Sequence, residues 1–190
     1  MGNTICKTVY FDRTGPVNTL DAFKLAKQRA EELGVKNIVV SSSTGETGVK
    51  AVEFFKGYNL VVVTYVTGFS EPNIQKFNPQ NRAIIESNGV KILTTTHAFG
   101  TLGRAVNNKF GTIQVDGIVA AVLRLFGQGT KVGCEIACMA ADAGLIRTDE
   151  DAITLGGTGQ GVDTALVLRP SNTHNFFDSA IKEVICKPHL

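Results

Sequence analysis

Ser42, Ser43, Thr44, Gly45, Glu46, Thr47 and Gly48 put four hydroxyls and two glycines into one short loop. The run Asn37, Ile38, Val39, Val40, Ser41 before it is apolar and β-branched, as a strand buried on both faces should be. Val49, Val52, Phe54 and Phe55 after it suit a helix packed on a sheet. A loop that leaves a buried strand and opens a helix points free backbone N–H groups outward, and the helix dipole adds partial positive charge there. The chemistry this suits is holding an anion, such as the phosphate of a small ligand. Gly45 and Gly48 would let backbone approach that ligand closely, and the hydroxyls would donate to it. The same residue types also make a plain capping turn, so local composition leaves both readings open. Glu46 sets a carboxylate inside the loop; an anion there requires that charge to point away, with Lys50 about one turn on to offset it.

A second candidate is the run Gly156, Gly157, Thr158, Gly159, Gln160, Gly161, where four glycines exceed what a tight hairpin requires. It reads either as a flexible hairpin or as backbone packed against a ligand or the first loop. Asp163 and Thr164 close it and can serve simply to fix the turn. The third candidate is a pair of strand ends, Thr64 to Phe69 and Thr94 to His97. Tyr65 and Phe69 could stack on a planar ring, with Thr64, Gly68 and Thr96 around its polar edge. His97 and Arg104 are the conspicuous titratable or charged groups nearby. His97 is a weak catalytic candidate, because a lone histidine at a strand end is more often a structural hydrogen-bonding group. No Ser/His/Asp order, carboxylate pair or metal-ligand cluster makes a reaction class compelling.

Cys6, Cys134, Cys138 and Cys186 are few and scattered, which fits reduced thiols in a cytosol. Cys134 and Cys138 lie four apart on an expected helix, but His97, His174 and His189 show no ligand spacing, so buried structural thiols are expected rather than a metal. A net charge of +2 without a Lys/Arg run argues against nucleic acid. Apolar runs such as Leu60 to Val63 are too short to span a bilayer. Met1 to Cys6 lacks the basic start and apolar core of a signal peptide, and Gly2 with Cys6 does not complete a myristoylation pattern. A cytoplasmic protein is expected.

The elements that must position these groups alternate. Leu20, Phe23, Ala26, Ala30 and Leu33 form one helical stripe, capped by Asn18 or Thr19 and closed by Gly34. Strands are expected at 37–41, 60–64, 90–94, 152–155 and 165–168, and helices at 81–88, 118–126 and 132–143. The stretch from His97 to Gly111 reads as an irregular excursion with a helical turn at 102–107, and 181–186 is ambiguous between strand and helix. No composition break marks a linker. The expectation is one α/β domain over 1–190, three-layered α/β/α, with a mostly parallel central sheet and an antiparallel hairpin near the C-terminus. In such sheets ligands sit at the carboxyl ends of strands, where the loop 42–48 falls. The apolar segment 113–126 reads as core or as an interface, so a homo-oligomer is possible.

The strand and loop from Ile38 to Thr47, followed by a helix and Leu60 to Thr64, resemble the C-terminal domain of pyruvate kinase. There a strand runs into a Thr-x-Ser/Thr-Gly-x-Ser/Thr loop that binds a sugar-phosphate effector; Ser42, Thr44, Gly45 and Thr47 stand at the matching positions. Asp151 to Val167, with its glycine loop and Asp163-Thr164, is similar to the last hairpin of that domain. The whole chain is similar to a stand-alone, mostly archaeal family known as pyruvate kinase α/β-domain-like. Glu135-Ile136, Met139 to Ile146, Gly156 to Gly159, Asp163 to Ala165, His97-Ala98-Phe99 and Phe177-Asp178 carry that likeness. It implies the pyruvate kinase C-terminal fold and bound flavin mononucleotide (FMN) in at least some members. The catalytic barrel of pyruvate kinase has no counterpart here, so that activity is not expected.

The functional expectation is therefore a soluble protein binding a phosphorylated small molecule, FMN for choice. Ser42, Ser43, Thr44, Gly45, Glu46 and Thr47 would hold the phosphate. Thr64, Tyr65, Gly68, Phe69, Thr96, His97, Arg104, Gly157, Thr158, Gly159 and Gly161 would line the rest. The alternatives are a flavin-dependent oxidoreductase and a regulatory domain sensing a sugar phosphate.

Overall fold

The computed structural model describes residues 3–189; Met1, Leu190 and Gly2, with its incomplete acylation pattern, lie outside them. The strands are β1 (Val9–Phe11), β2 (Asn37–Ser41), β3 (Asn59–Val63), β4 (Lys91–Leu93), β5 (Ala152–Gly156), β6 (Thr164–Arg169) and β7 (Ala180–Pro188). The helices are α1 (Thr19–Leu33), α2 (Glu46–Phe54), α3 (Pro79–Ser87), α4 (Leu102–Phe110), α5 (Val115–Arg124) and α6 (Gln128–Asp142). All seven strands join one sheet in the order β1-β7-β6-β5-β2-β3-β4. Pairing is parallel except along β6, which runs antiparallel to both β5 and β7.

The central strands carry apolar residues on both faces because helices cover both. Ile38 and Val40 of β2 join Phe23 and Ala26 of α1 and Ala51 of α2 in one core. Val62 packs with Phe77 and Ile85 of α3 on the same side. Val39 and Val61, pointing the other way, meet Ile136, Met139 and Ala140 of α6. Beyond α6, Val119, Ala120 and Leu123 of α5 pack against Ala137 and Cys138, and α4 in turn packs against α5. The result is the expected three-layer α/β/α arrangement with an antiparallel β5–β6 hairpin.

Several local expectations change. Asn18 precedes α1 but does not cap it; its side-chain amide donates to the Arg13 carbonyl at 2.6 Å. Thr19 accepts from the Val162 N–H at 3.2 Å instead, tying the start of α1 to the glycine loop. The excursion after His97 contains a nine-residue helix, α4, rather than a turn. The ambiguous C-terminal segment is strand β7, anchored to α1 by a two-pronged Arg29–Glu183 pair at 2.7 Å on each prong. β1 was not expected: three residues carry too little pattern to be seen, and only pairing with β7 defines them.

Asp163, fully buried, closes the loop between β5 and β6. One carboxylate oxygen accepts from the N–H of Gly15 at 2.8 Å and of Thr158 at 3.2 Å, the other from the Thr164 hydroxyl at 2.9 Å. Hydrogen bonds to a charged acceptor contribute about 1.5–3 kcal/mol each, and Asp163→Ala also leaves the buried Gly15 N–H and the part-buried Thr158 N–H without this partner. The variant should lose at least about 3 kcal/mol of unfolding free energy in urea titrations; a loss within error of zero would show that the loops hold without it.

Candidate functional site

A cavity opens at the carboxyl ends of β2 and β3, where α2 begins. Among the described residues it is lined by Ser41 and Val63 at the ends of β2 and β3, Ser42, Ser43 and Thr47 of the first loop, and Thr64 and Tyr65 after β3. His97 and Gly157, Gly159 and Gly161 of the second loop complete that side. The remaining wall is α6, through Gln128, Val132, Glu135, Ile136 and Met139. The volume is about 80 Å³. Ligand pockets for drug-sized molecules run to about 300–1,000 Å³, so a phosphate or a few waters fit inside while a larger ligand must project through the mouth.

The loop is built to leave donors free. The Ser42 N–H completes the sheet by bonding the Val63 carbonyl, and its hydroxyl oxygen accepts from the Gly48 N–H at 3.1 Å. The hydroxyl proton is thereby left to donate elsewhere. The helical ladder of α2 begins only with the Val49 N–H reaching Gly45, and the N–H groups before it, apart from that of Gly48, belong to the orphan donors with which every helix starts. Ser42 and Thr47 are buried.

The two glycines serve packing rather than ligand approach. Gly45 has φ +95°, and a β-carbon there would come within 2.6 Å of Asn81 and 2.9 Å of Phe77. At Gly48 a β-carbon would meet Ile85 at 2.8 Å and Val62 at 3.0 Å. Both positions face α3 and the core. Thr44 also turns that way, its carbonyl accepting from Asn78 and Asn81. Glu46 is exposed and does not line the cavity. Of the six residues expected to take phosphate, Ser42, Ser43 and Thr47 therefore border the cavity, and Thr44, Gly45 and Glu46 do not.

The second loop folds on itself and on its neighbours. A β-carbon on Gly157 would strike the Gly161 carbonyl at 2.3 Å, and one on Gly161 would strike the Thr19 hydroxyl at 2.5 Å. Thr158 is held by Asp163 and lies outside the lining.

Tyr65 and Phe69 stack on each other, with ring centroids 4.7 Å apart and planes 7° from parallel, and His97 stacks on Phe69 at 5.3 Å. The Arg104 guanidinium sits 5.2 Å from the Phe69 centroid, a cation–π contact. Tyr65 and His97 reach the cavity, whereas Phe69 and Arg104 are exposed and do not line it. Gly68 is exposed, and Thr96 borders a separate groove with Asp142 and Thr173.

The α6 wall was missed by sequence reasoning. Lys131 and Glu135 form a buried ion pair at 2.5 Å, and Glu135 also accepts from the Phe99 N–H at 3.0 Å. Spaced four apart, the two look like an ordinary exposed helical pair; the signal that could have exposed them is their setting among Gly129, Gly133, Cys134 and Ala137, too small and apolar for a solvent face. Burial pushes Lys131 down from its ordinary value, and Glu135 opposes the shift. Burial pushes the thiols of Cys134, Cys138 and Cys186 up to about 12, which keeps them protonated and inert. No group of three or more His, Cys, Asp or Glu able to hold a metal gathers among the described residues.

Fold and cavity together define an α/β domain with a polar recess at its strand ends. The chain belongs to the family described as pyruvate kinase, alpha/beta domain, which matches residues 21–168. Two solved structures of pyruvate kinase from Cryptosporidium parvum are similar at 14% identity, with TM-scores of 0.40 and 0.38. Each match covers 80% of this chain and 22% of the other, so the chain spans about a fifth of the length of those enzymes. No helix is long and apolar enough to cross a membrane among the described residues.

His97 accepts from the Val66 N–H through Nε2 at 3.3 Å, which calls for the neutral ring. Burial lowers its pKa from the usual 6.5; Lys131 and Arg104 push the same way, and Glu135 opposes them. Below that value the unfolded chain takes up a proton that the folded chain resists, so stability is kept above about 6.5 and falls as pH drops through the window beneath it. Melting temperature should decline between pH 7.5 and 5.5, and His97→Gln should flatten that decline; an unchanged pH profile in the variant would contradict this assignment.

Proposed function

We propose that this protein binds a small phosphorylated molecule. The phosphate would sit in the cavity against Ser42, Ser43, Thr47 and the first-turn N–H groups of α2, with FMN as the ligand. The observation that carries the reading is the cavity itself: at the strand ends it gathers hydroxyls, a helix N-terminus and glycine backbone, with no Lys or Arg in its lining. An anion held there is met by neutral donors and the helix dipole, an arrangement that suits a phosphate ester. The single carboxylate in the wall, Glu135, is matched by Lys131 and does not leave a free negative charge facing the anion. The flavin ring would project through the mouth toward Tyr65 and His97.

The small enclosed volume favours a second reading, in which the ligand is a compact sugar phosphate and the domain is regulatory. Both readings share the phosphate position.

Thermal-shift and calorimetric titrations with FMN, riboflavin, fructose bisphosphate and inorganic phosphate test them together. FMN should raise the melting temperature and riboflavin should not, since it lacks the phosphate. Ser43→Ala and Thr47→Val should each weaken FMN about tenfold or more, the cost of one hydrogen bond to a charged group. Raising the salt should matter little, because no cationic side chain is being screened. Stabilisation by fructose bisphosphate alone selects the regulatory reading. No response to any phosphate compound, or equal binding of riboflavin and FMN, rejects the phosphate site.

A further inference from the structure

Helix α5 is apolar on two sides. Its inner side, Val119, Ala120 and Leu123, packs on α6. On its outer side Val115, Ile118, Val122 and Leu125 are 71%, 50%, 54% and 76% exposed. Beside it α4 buries no residue, although Leu102, Val106 and Phe110 recur at four-residue steps along one side. An isolated helix of this length is marginal in water, so packing on its apolar side must supply what propensity does not. We propose that this face is the contact surface for a second copy of the same chain, forming a two-fold dimer.

Three observations favour a copy over another occupant. The outer stripe of α5 has steps of three, four and three residues, a spacing that reads the same in both directions. A two-fold axis between Ile118 and Val122 would therefore set α5 antiparallel on its mate, with Ile118 against the partner's Val122 and Val115 against the partner's Leu125. Three- and four-residue ridges are the spacing by which helices interlock side by side. The area also fits: the four stripe residues with Leu102 and Phe110 expose on the order of 450 Å² of apolar surface. One side of a standard interface buries about 800 Å², a little over half of it apolar. The stripe carries no charged residue, whereas a segment that lies on a membrane sets a basic face opposite its apolar one; here α5 has one basic residue, Arg124, and the side away from the stripe packs on α6 through Ala120 and Leu123. The proposal stands apart from the ligand reading, since none of these residues lines the cavity.

Light scattering coupled to size exclusion, with the full chain at about 100 μM in the range where transient dimers populate, decides it. The wild type should run at twice the chain mass. Ile118→Asp and Val122→Asp, each at a half-exposed position, should run at one chain mass with unchanged far-ultraviolet circular dichroism. Should either fail to fold, Ile118→Ala with Val122→Ala should weaken the dimer at least tenfold in a dilution series. A wild type at one chain mass overturns the proposal, including one that sediments instead with anionic lipid vesicles. A dimer that survives all four substitutions overturns it as well, by placing the interface on another face.

Discussion

The buried carboxylate of Asp163 ties together three stretches of chain: the turn at Gly15, the glycine loop at Thr158 and the start of β6 at Thr164. A charge removed from water costs several kcal/mol unless its lone pairs are met, and here three donors meet them. The consequence reaches the cavity. Gly157, Gly159 and Gly161 line it only because the loop that bears them is pinned from below by Asp163 and from the side by the Thr19–Val162 contact. A freely moving glycine loop would give the recess no fixed wall.

The second constraint is the closeness of α6 to the sheet. A β-carbon on Gly156 would lie 2.2 Å from the Gly129 carbonyl, and one on Gly133 would lie 2.8 Å from the Thr154 hydroxyl. Side chains at these positions would lift the helix off the strands. With glycine there, α6 sinks until nearly all its residues are buried, and Glu135, Ile136 and Met139 become the far wall of the cavity. Sinking the helix also buries Lys131. Its ammonium then needs Glu135, and Glu135 needs the Phe99 N–H, so the segment after His97 is fixed by the same requirement. The Thr154 hydroxyl is left without a hydrogen-bond partner, a cost of the close approach.

The central strands were legible in the sequence because burial on both faces writes a continuous β-branched run, and short loops leave little choice of topology. Ser42, Ser43 and Thr47 were legible for the same local reason: they stand between a strand and a helix, which decides where they end up. Gly45 and Gly48 were misjudged because the atoms that exclude a side chain there belong to Phe77, Asn81 and Ile85, some thirty residues on, and no local pattern reports such a contact. Tyr65 and Phe69 were read as a platform for a ring, but their partners are each other and His97. The α6 wall escaped because the burial of Lys131 and Glu135 is a tertiary fact, and four-residue spacing looks the same in water as in a core.

If the recess holds the anion proposed for it, these placements decide what kind of site it is. A site built on Lys or Arg attracts anions from a distance and weakens as salt screens it. This one offers short-range donors whose directions are set by backbone already fixed in the sheet and in α2, and its one carboxylate is held by Lys131 on one side and the Phe99 amide on the other. Discrimination would then rest on whether a ligand can satisfy each donor at its own angle, since any donor left unmet in a buried recess carries a desolvation penalty. Tetrahedral oxyanions meet several such donors at once, whereas a planar carboxylate presents fewer oxygens to them. The same logic limits the mouth: Tyr65 is already stacked on Phe69, so a ring that enters must lie beside the aromatic group or displace a contact that the fold has made.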